Sequence, residues 1–371
     1  QEGAEDILAN CFVMLLGISV VLTGLAIALR EPMLMFFGAS AQTFPYANDY
    51  LTIYVLGTVF AILTAGLNQF ITCQGFANEA MLTTVIGAVM NIILDPIFIF
   101  VFGLGVKGAA IATVLSQACS CAFVLWFLFG DRVHVRITFR GYSWKVMRRV
   151  LSFGFCPFII IAGDSVLIIA LNTVLQNYGG AQGDMLIACA TIVQSYMQIV
   201  TLPLGGISSG TQPILSFNYG AKNSDRIRQG EKEIVKLSLL FCLTMFIISQ
   251  TVSGVFVRLF TQNPEYVQLS VWAIRVFTFG IIPLALQYAF VDGLTALGIL
   301  KVSVSLSVFR KALFLIFTLV FPMFWGASAA FYAEPVVDIF CGLFSSVVFL
   351  SIIGKILRRR EEMADGESLY S

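Results

Sequence analysis

The stretch VMNIILDPIFIFVFG, residues 89–103, places a carboxylate, an amide and a helix breaker in an otherwise apolar run. Asn91 and Asp95 are four residues apart, so both side chains project from one face of a helix. Pro96 supplies no N–H to the carbonyl of Ile92, which predicts a kink and a free carbonyl oxygen beside the carboxylate. These groups together could bind one small cation.

An ionised aspartate at the centre of a bilayer costs about 2.5–3.5 kcal/mol on insertion scales. Asp95 is therefore expected to face the interior of a helix bundle, where its protonation or its binding of Na⁺ could be coupled to the Pro96 kink. The structural alternative is that Asp95 only hydrogen-bonds a neighbouring helix, as polar residues in membrane bundles do.

Three further polar side chains inside apolar runs are candidates for the wall of a substrate cavity. Gln194 and Gln198 share one helix face, and Asp164 lies within the preceding apolar segment. A hydrogen bond between helices explains the glutamines equally well, and a structural ion pair is the alternative for Asp164.

Two more carboxylates have structural explanations. Asp292 precedes Gly293 near the predicted end of a helix, which favours a helix-end interaction. Asp338 could pair with Arg275, although the sequence alone does not show that contact.

Composition places the chain in a membrane. The 371 residues are 58% hydrophobic and only 12% charged, with a mean hydropathy of +0.90, whereas soluble domains are about 25% charged. The net charge of +1 gives no field that would attract nucleic acid. His134 is the only histidine, and the eight cysteines form no C-x-x-C pair. We therefore predict no metal site, no cofactor and no enzymatic activity.

The elements that must position these side chains are predicted to be membrane-spanning helices, since each needs about 20 apolar residues. Ten segments qualify: 7–29, 50–73, 80–102, 108–130, 151–175, 185–207, 235–257, 270–293, 304–325 and 331–354.

Basic residues fall mainly in every second predicted loop, which predicts that those loops are cytoplasmic. They lie at 131–150, at 218–236, at Lys301, Arg310 and Lys311, and at 355–360. The expected location is the inner (plasma) membrane, crossed several times, with both ends of this chain cytoplasmic.

An internal repeat relates the two halves of the chain. Phe37 and Phe260, Gly57 and Gly280, and Gly75 and Gly298 are all separated by the same 223 positions. A constant offset across three motifs indicates duplication, and such repeats are typical of secondary transporters.

The same offset leaves two helices of the second half without counterparts, so about 80 residues with two spans are expected before Gln1. The predicted protein is an all-α polytopic membrane protein with ten of twelve spans present. Its parts are an N-lobe at 1–130, an inter-lobe loop at 131–150, a C-lobe at 151–355 and a cytoplasmic tail at 356–371.

Two motif blocks carry a family resemblance. Residues 74–117 read QGFANEAMLTTVIGAVMNIILDPIFIFVFGLGVKGAAIATVLSQ, and residues 205–229 read GGISSGTQPILSFNYGAKNSDRIRQ. With them, nearly all of the chain resembles the multidrug and toxin extrusion (MATE) transporters, most closely their bacterial DNA-damage-inducible-F-like branch. The resemblance implies a two-lobe helical bundle that exports organic, often cationic, compounds in exchange for H⁺ or Na⁺.

The resemblance also implies a cation site in the N-lobe. The family's acidic residue falls on Asp95, and its amide and hydroxyl neighbours fall on Asn91, Asn68 and Thr113. A further family Asp on the first helix would lie in the missing segment. The C-lobe Glu of the sodium-coupled branch falls near Asp164, but in a different local pattern.

The sequence is therefore interpreted as an antiporter, expected to be a monomer, whose partners are small organic substrates and the lipid bilayer. One alternative is a flippase for a lipid-linked precursor. Flippases of that kind line their cavity with several Arg or Lys, whereas most basic residues here are assigned to loops. A non-transporting, truncated homologue is the other alternative. The choice between H⁺ and Na⁺ stays open, because a carboxylate with amide and hydroxyl neighbours can serve either.

Overall fold

Apolar, helix-favouring runs produce an almost wholly helical chain. A computed structural model describes residues 2–36 and 44–362, and all regular structure within them is helical. The helices of the first half are α1 (Glu2–Ala28), α2 (Arg30–Phe36), α3 (Phe44–Leu56), α4 (Thr58–Cys73), α5 (Ala77–Pro96), a π-helix (Ile97–Val101) and α6 (Gly105–Phe129).

The second half begins with the longest helix, α7 (Trp144–Gly179). The helices that follow are α8 (Gly183–Gly210), α9 (Gln212–Gly220), α10 (Ser224–Thr251), α11 (Ser253–Val257), α12 (Pro264–Phe277), α13 (Ile281–Ala296), α14 (Leu300–Trp325) and α15 (Ala333–Glu362). Short 3₁₀ turns occupy Gly180–Gln182, Thr278–Gly280 and Ala327–Tyr332.

Eight helical segments of the described chain are long and apolar enough to cross a membrane. The number rises to nine when α3 and α4, bent by 49° at their junction, are taken as one span. One of the eight, Ile161–Gly220, has 60 residues and overlaps two of the predicted spans. The count of ten therefore stays a prediction.

The helix boundaries repeat with the offset found in the sequence. α4 begins at Thr58 and ends at Cys73, and 223 positions later α13 begins at Ile281 and ends at Ala296. α5 and α14 begin at positions separated by the same offset. The Phe37 member of the third sequence match lies outside the described residues.

Equivalent glycines end the two matched helices. Gly75 follows α4 with φ of +90°, and Gly298 follows α13 with φ of +77°. The next residue donates its backbone N–H to a carbonyl five positions earlier in both cases, Phe76 to Ile71 at 3.2 Å and Ile299 to Leu294 at 2.9 Å. This is a Schellman-type helix end, which glycine adopts without a Cβ penalty.

The chain forms two compact units, residues 1–154 and 155–371. In the first, Leu8 of α1, Leu67 of α4 and Val124 of α6 share one apolar core. Ile137, from the predicted inter-lobe loop, is buried in the same core. The core of the second unit includes Val200, Leu204, Ile274, Leu284 and Val337, from α8, α12, α13 and α15.

Parts of the predicted inter-lobe loop and of the predicted tail are helical. α7 begins at Trp144, so residues 144–150 belong to a helix and not to a loop. α15 continues to Glu362, and Leu357 within the predicted tail is buried. A helix can continue past the apolar residues that define its span, and the limits of the lobes, loop and tail stay predictions. Residues 363–371 of the predicted tail lie outside the described residues.

Candidate cation and substrate sites

Asp95 lies at an irregularity in the backbone. It is the second-last residue of α5, which ends at Pro96. The chain then continues as the π-helix, in which the Phe102 N–H donates to the Ile97 carbonyl at 2.9 Å. Proline disrupts regular α-helical bonding, and short π segments often occur at functional sites. The kink at Pro96 stays a prediction, and the structure shows a change from α- to π-helical hydrogen bonding after this residue.

The structure brings Asn91 and Asp95 into contact. The Asn91 Nδ2 donates to Asp95 Oδ1 at 3.3 Å, and both residues are half-buried. Within residues 2–36 and 44–362, Asp95 forms no salt bridge with a lysine or arginine. The carboxylate therefore has an amide donor but no fixed positive partner in the described chain.

Asn68 and Thr113 lie on the helices that pack against α5. α4, α5 and α6 contact one another. The Asn68 Nδ2 donates to the Ala80 carbonyl of α5 at 3.1 Å, and Thr113 Oγ1 donates to Ala109 at 2.9 Å. Both side chains thus bind backbone carbonyls and not the carboxylate, so the structure pairs only Asn91 with Asp95.

Asn68 Oδ1 and Gln117 Oε1 are two of the buried side-chain oxygens in this unit that have no hydrogen-bond partner in the described chain. Gln117 lies one turn after Thr113 on α6, and its spacing of four residues from Thr113 was the signal that sequence reasoning missed. Unpaired buried oxygens are rare in folded proteins, so these two atoms are available to a cation or to water.

The predicted substrate-cavity residues line one cavity of the second unit. Asp164, Gln194 and Gln198 surround a space of about 250 Å³ between α7, α8 and the helices beside them. Arg310 and Glu334 contribute charge to the same wall. Its other lining residues include Thr201, Phe277, Tyr288 and Phe314. The cavity therefore combines aromatic surface with charges of both signs.

Asp164 has a fixed basic partner. Lys311 of α14 forms an ion pair with its carboxylate. The Lys311 side chain is 14% exposed, whereas that of Asp164 is 58% exposed. A free cation or a cationic substrate must therefore compete with Lys311 for this carboxylate.

Arg310 was placed with the loop residues, and this assignment is wrong. It lies within the membrane-spanning helix α14 and binds two carboxylates of α15. Its Nη2 is 2.5 Å from Glu334 Oε1 and 2.7 Å from Asp338 Oδ1, and its Nε donates to the same Asp338 oxygen at 3.0 Å. Counting charges by loop failed because a buried arginine is stabilised by partners that are distant in sequence.

The partner of Asp338 is thus Arg310 and not Arg275. Asp338 is fully buried, with 0% exposure, and its Oδ2 has no donor in the described chain. Asp292 also differs from expectation: it is half-buried and accepts a hydrogen bond from Ser208 of α8, where a helix-end interaction was predicted. Both contacts join different helices.

The fold and these sites define a class of protein. Repeated sets of membrane-spanning helices with intramembrane carboxylates beside cavities are the architecture of secondary transporters. The family model described as MatE matches residues 1–97 and 161–320, which is more than half of the chain. The chain belongs to the MATE family. Members of this family are transporters and not enzymes, as the sequence predicted.

Curated relatives include two proteins called multidrug export protein MepA. The protein of Staphylococcus haemolyticus (strain JCSC1435) is 28% identical over 307 residues, which cover 80% of this chain and 66% of the relative. That of Staphylococcus aureus (strain MSSA476) is 24% identical over 377 residues, covering 98% and 81%. The chain thus spans about two thirds to four fifths of the length of these relatives.

Solved structures share the fold. One, described as the outward-facing conformation of a multidrug resistance MATE family transporter, has a TM-score of 0.88 at 22% identity and covers 96% of this chain and 80% of that chain. A second is a transporter from Pyrococcus furiosus Vc1 (DSM3638) whose binding pocket is described as having reverse polarity. It has a TM-score of 0.89 at 21% identity, with the same coverage.

Proposed function

We propose that this chain exports organic compounds, cationic or amphipathic, in exchange for H⁺ or Na⁺ by alternating access of two lobes. Family membership and the names of the relatives support export. The two lobes are the N-lobe and C-lobe predicted from the sequence. The protein is a monomer in the plasma membrane, and its basic loops and both ends of this chain face the cytoplasm. We also propose that the chain belongs to the DNA-damage-inducible-F-like branch of the family. The natural protein would then contain the two further helices that the repeat predicts.

The Asn91–Asp95 contact is the observation that carries the coupling scheme. An unpaired carboxylate within a span is costly when ionised, and Asp95 has an amide neighbour but no basic partner in the described chain. Uptake of one cation removes that cost. The adjoining π-helix gives the backbone two hydrogen-bonding patterns that cation binding can favour differently. Asn68 and Thr113, on the packed helices α4 and α6, complete the proposed site.

The energy available is sufficient for export. Inward movement of one positive charge is worth about 2.3 kcal/mol per 100 mV. That free energy supports a gradient of roughly 50-fold for a neutral cargo. One cation bound at Asp95 per cycle is therefore enough to drive the export of one cargo molecule against such a gradient.

We assign cargo binding to the 250 Å³ cavity lined by Asp164, Gln194 and Gln198. A cationic group can replace the Lys311 ammonium at Asp164, and the amides can orient polar groups of the cargo. Phe277 and Phe314 provide apolar surface on the same wall. Flat aromatic cations suit such a combination.

Reconstituted vesicles test this function. The full-length natural protein should drive efflux of a cationic dye under an imposed pH or sodium gradient, and Asp95→Asn should abolish that efflux. Glu79→Gln, which neutralises an acid in the first turn of the same helix, should leave efflux intact. Gradient-driven efflux that persists in Asp95→Asn would remove Asp95 from the mechanism.

A flippase for a lipid-linked precursor is the second candidate, because Arg310 and Lys311 both line a 440 Å³ cavity in the second unit. Basic residues in the cavity are a feature expected of such a flippase, and the assignment of Arg310 and Lys311 to a loop had argued against it. However, each is already matched by a carboxylate, which favours a zwitterionic or cationic cargo over a pyrophosphate. Movement of a lipid-linked pyrophosphate between leaflets, with no efflux of any cationic dye, would favour the flippase.

A further inference from the structure

A buried glutamate and a half-buried aspartate lie outside the sites described so far. Glu231 is in α10 and Asp292 is in α13, two helices that pack against each other. We propose that Glu231 holds a proton beside Asp292 and forms a proton-binding site in the second unit, separate from Asp95.

The Glu231 carboxylate lies where α10 and α13 approach closely. Glu231 is only 6% exposed. Its carboxylate lies directly against Gly293, the residue after Asp292, because a Cβ added to Gly293 would lie 2.7 Å from Glu231 Oε2 and 2.8 Å from Oε1. Glycine at position 293 leaves this space free for the glutamate carboxylate.

The charges of the surrounding helices show that the pair has no cation of its own. Lys311 is paired with Asp164, and Arg310 is paired with Glu334 and Asp338. In the described part of the chain, neither Glu231 nor Asp292 forms a salt bridge. The charged and titratable groups that share the 440 Å³ cavity with Asp292 are Asp164, Tyr288, Arg310 and Lys311.

A carboxylate that is 6% exposed and has no cationic partner in the described chain is costly to ionise in a medium of low polarity, so Glu231 retains a proton. Asp292 accepts a hydrogen bond from Ser208, which stabilises its ionised form. Glu231 Oε1 has no donor in the described chain. The proton therefore resides on Glu231, and Asp292 is its charged neighbour.

A separate observation points to a route for the proton. Gln287, one turn and one residue before Asp292 on α13, is 5% exposed and its Oε1 has no donor in the described chain. Gln287 and Asp292 both line the 440 Å³ cavity. A buried acceptor without a donor favours water in this cavity, and water can deliver a proton from the cavity to Asp292 and Glu231.

The consequence is a pH-dependent contact between α10 and α13. With one proton present, the pair carries a single negative charge. When that proton returns to water, Glu231 and Asp292 are both charged and the packing of α10 against α13 is weakened. This site does not require Asp95, so either one can operate if the other proves incorrect.

Carbodiimide labelling tests the site directly, because dicyclohexylcarbodiimide modifies protonated carboxyls in apolar surroundings. The purified full-length protein is treated over a range of pH and the modified residues are found by mass spectrometry. Glu231 should be labelled, with labelling lost as pH rises. Glu334, which is paired with Arg310, should stay unlabelled and serves as the internal control.

Two variants make the test specific to the pair. Asp292→Asn removes the neighbouring charge, so the loss of Glu231 labelling should shift to lower pH. Ser208→Ala removes the donor to Asp292, so some label should move to Asp292. Absence of label on Glu231 at every pH, or a pH profile that neither variant changes, would overturn the proposal. Asp95→Asn should leave Glu231 labelling unchanged, which separates this result from the transport mechanism.

Discussion

Replacement of Arg310 by methionine measures how strongly the buried ion cluster stabilises the second unit. The variant keeps an unbranched side chain but removes the guanidinium that contacts Glu334 and Asp338. Asp338 is then left with 0% exposure and no positive partner. Removal of one member of a buried ion pair typically costs about 3–5 kcal/mol, because the remaining charge is neither solvated nor paired.

Thermal unfolding of the purified protein in detergent is the assay. For a unit of about 150–250 residues, each kcal/mol lowers Tm by about 2–4 °C, so Arg310→Met should lower Tm by roughly 6–20 °C. The matched control is Arg275→Met. Arg275 is an exposed arginine of the membrane helix α12 and forms no salt bridge within the described residues. This control should change Tm by only a few degrees.

A combined variant separates charge from packing. Arg310→Met with Asp338→Leu and Glu334→Gln removes the cation and its two acids together, and most of the lost stability should return. If Arg310→Met is no less stable than Arg275→Met, or if the combined variant is as unstable as Arg310→Met alone, the cluster is not the stabilising unit inferred from its geometry.

Glycine substitutions test two other features of the fold. Gly342→Ala places a Cβ 2.2 Å from the Pro283 carbonyl oxygen where α15 crosses α13, so it should destabilise by about 1–3 kcal/mol in the same unfolding assay. Gly206→Ala meets no atom within 4 Å and should be neutral. Gly75→Ala and Gly298→Ala should each cost about 1–2 kcal/mol, because both positions require positive φ. Clearly unequal costs at these two positions would argue against equivalent helix ends.

The features that sequence reasoning could reach are those set by local spacing. The four-residue separation of Asn91 and Asp95 predicted a shared face, and the structure shows a hydrogen bond between them. The offset that links Gly75 with Gly298 predicted a repeat, and the two glycines end equivalent helices with the same hydrogen-bond pattern. Both inferences need only helical periodicity and the chain's own self-similarity.

The features it missed depend on contacts between distant segments. Arg310 looked like a loop residue because charge is costly in a bilayer, and only the position of α15 reveals Asp338 as its partner. Glu231 gave no signal, since its span begins with polar residues that read as a loop. The π-helix after Asp95 also depends on how α6 packs: a Cβ at Gly108 would lie 2.5 Å from the Phe98 carbonyl oxygen. No local pattern in the sequence specifies these contacts.

Cargo-induced cation movement is the measurement closest to the central claim. Vesicles containing the full-length protein and an internal pH or sodium indicator are given a cationic cargo without any imposed gradient. The parent protein and Glu79→Gln should both produce an H⁺ or Na⁺ flux in the direction opposite to the cargo. Asp95→Asn should bind cargo but produce no cation flux. A flux in Asp95→Asn equal to that of the parent would contradict the role assigned to this carboxylate.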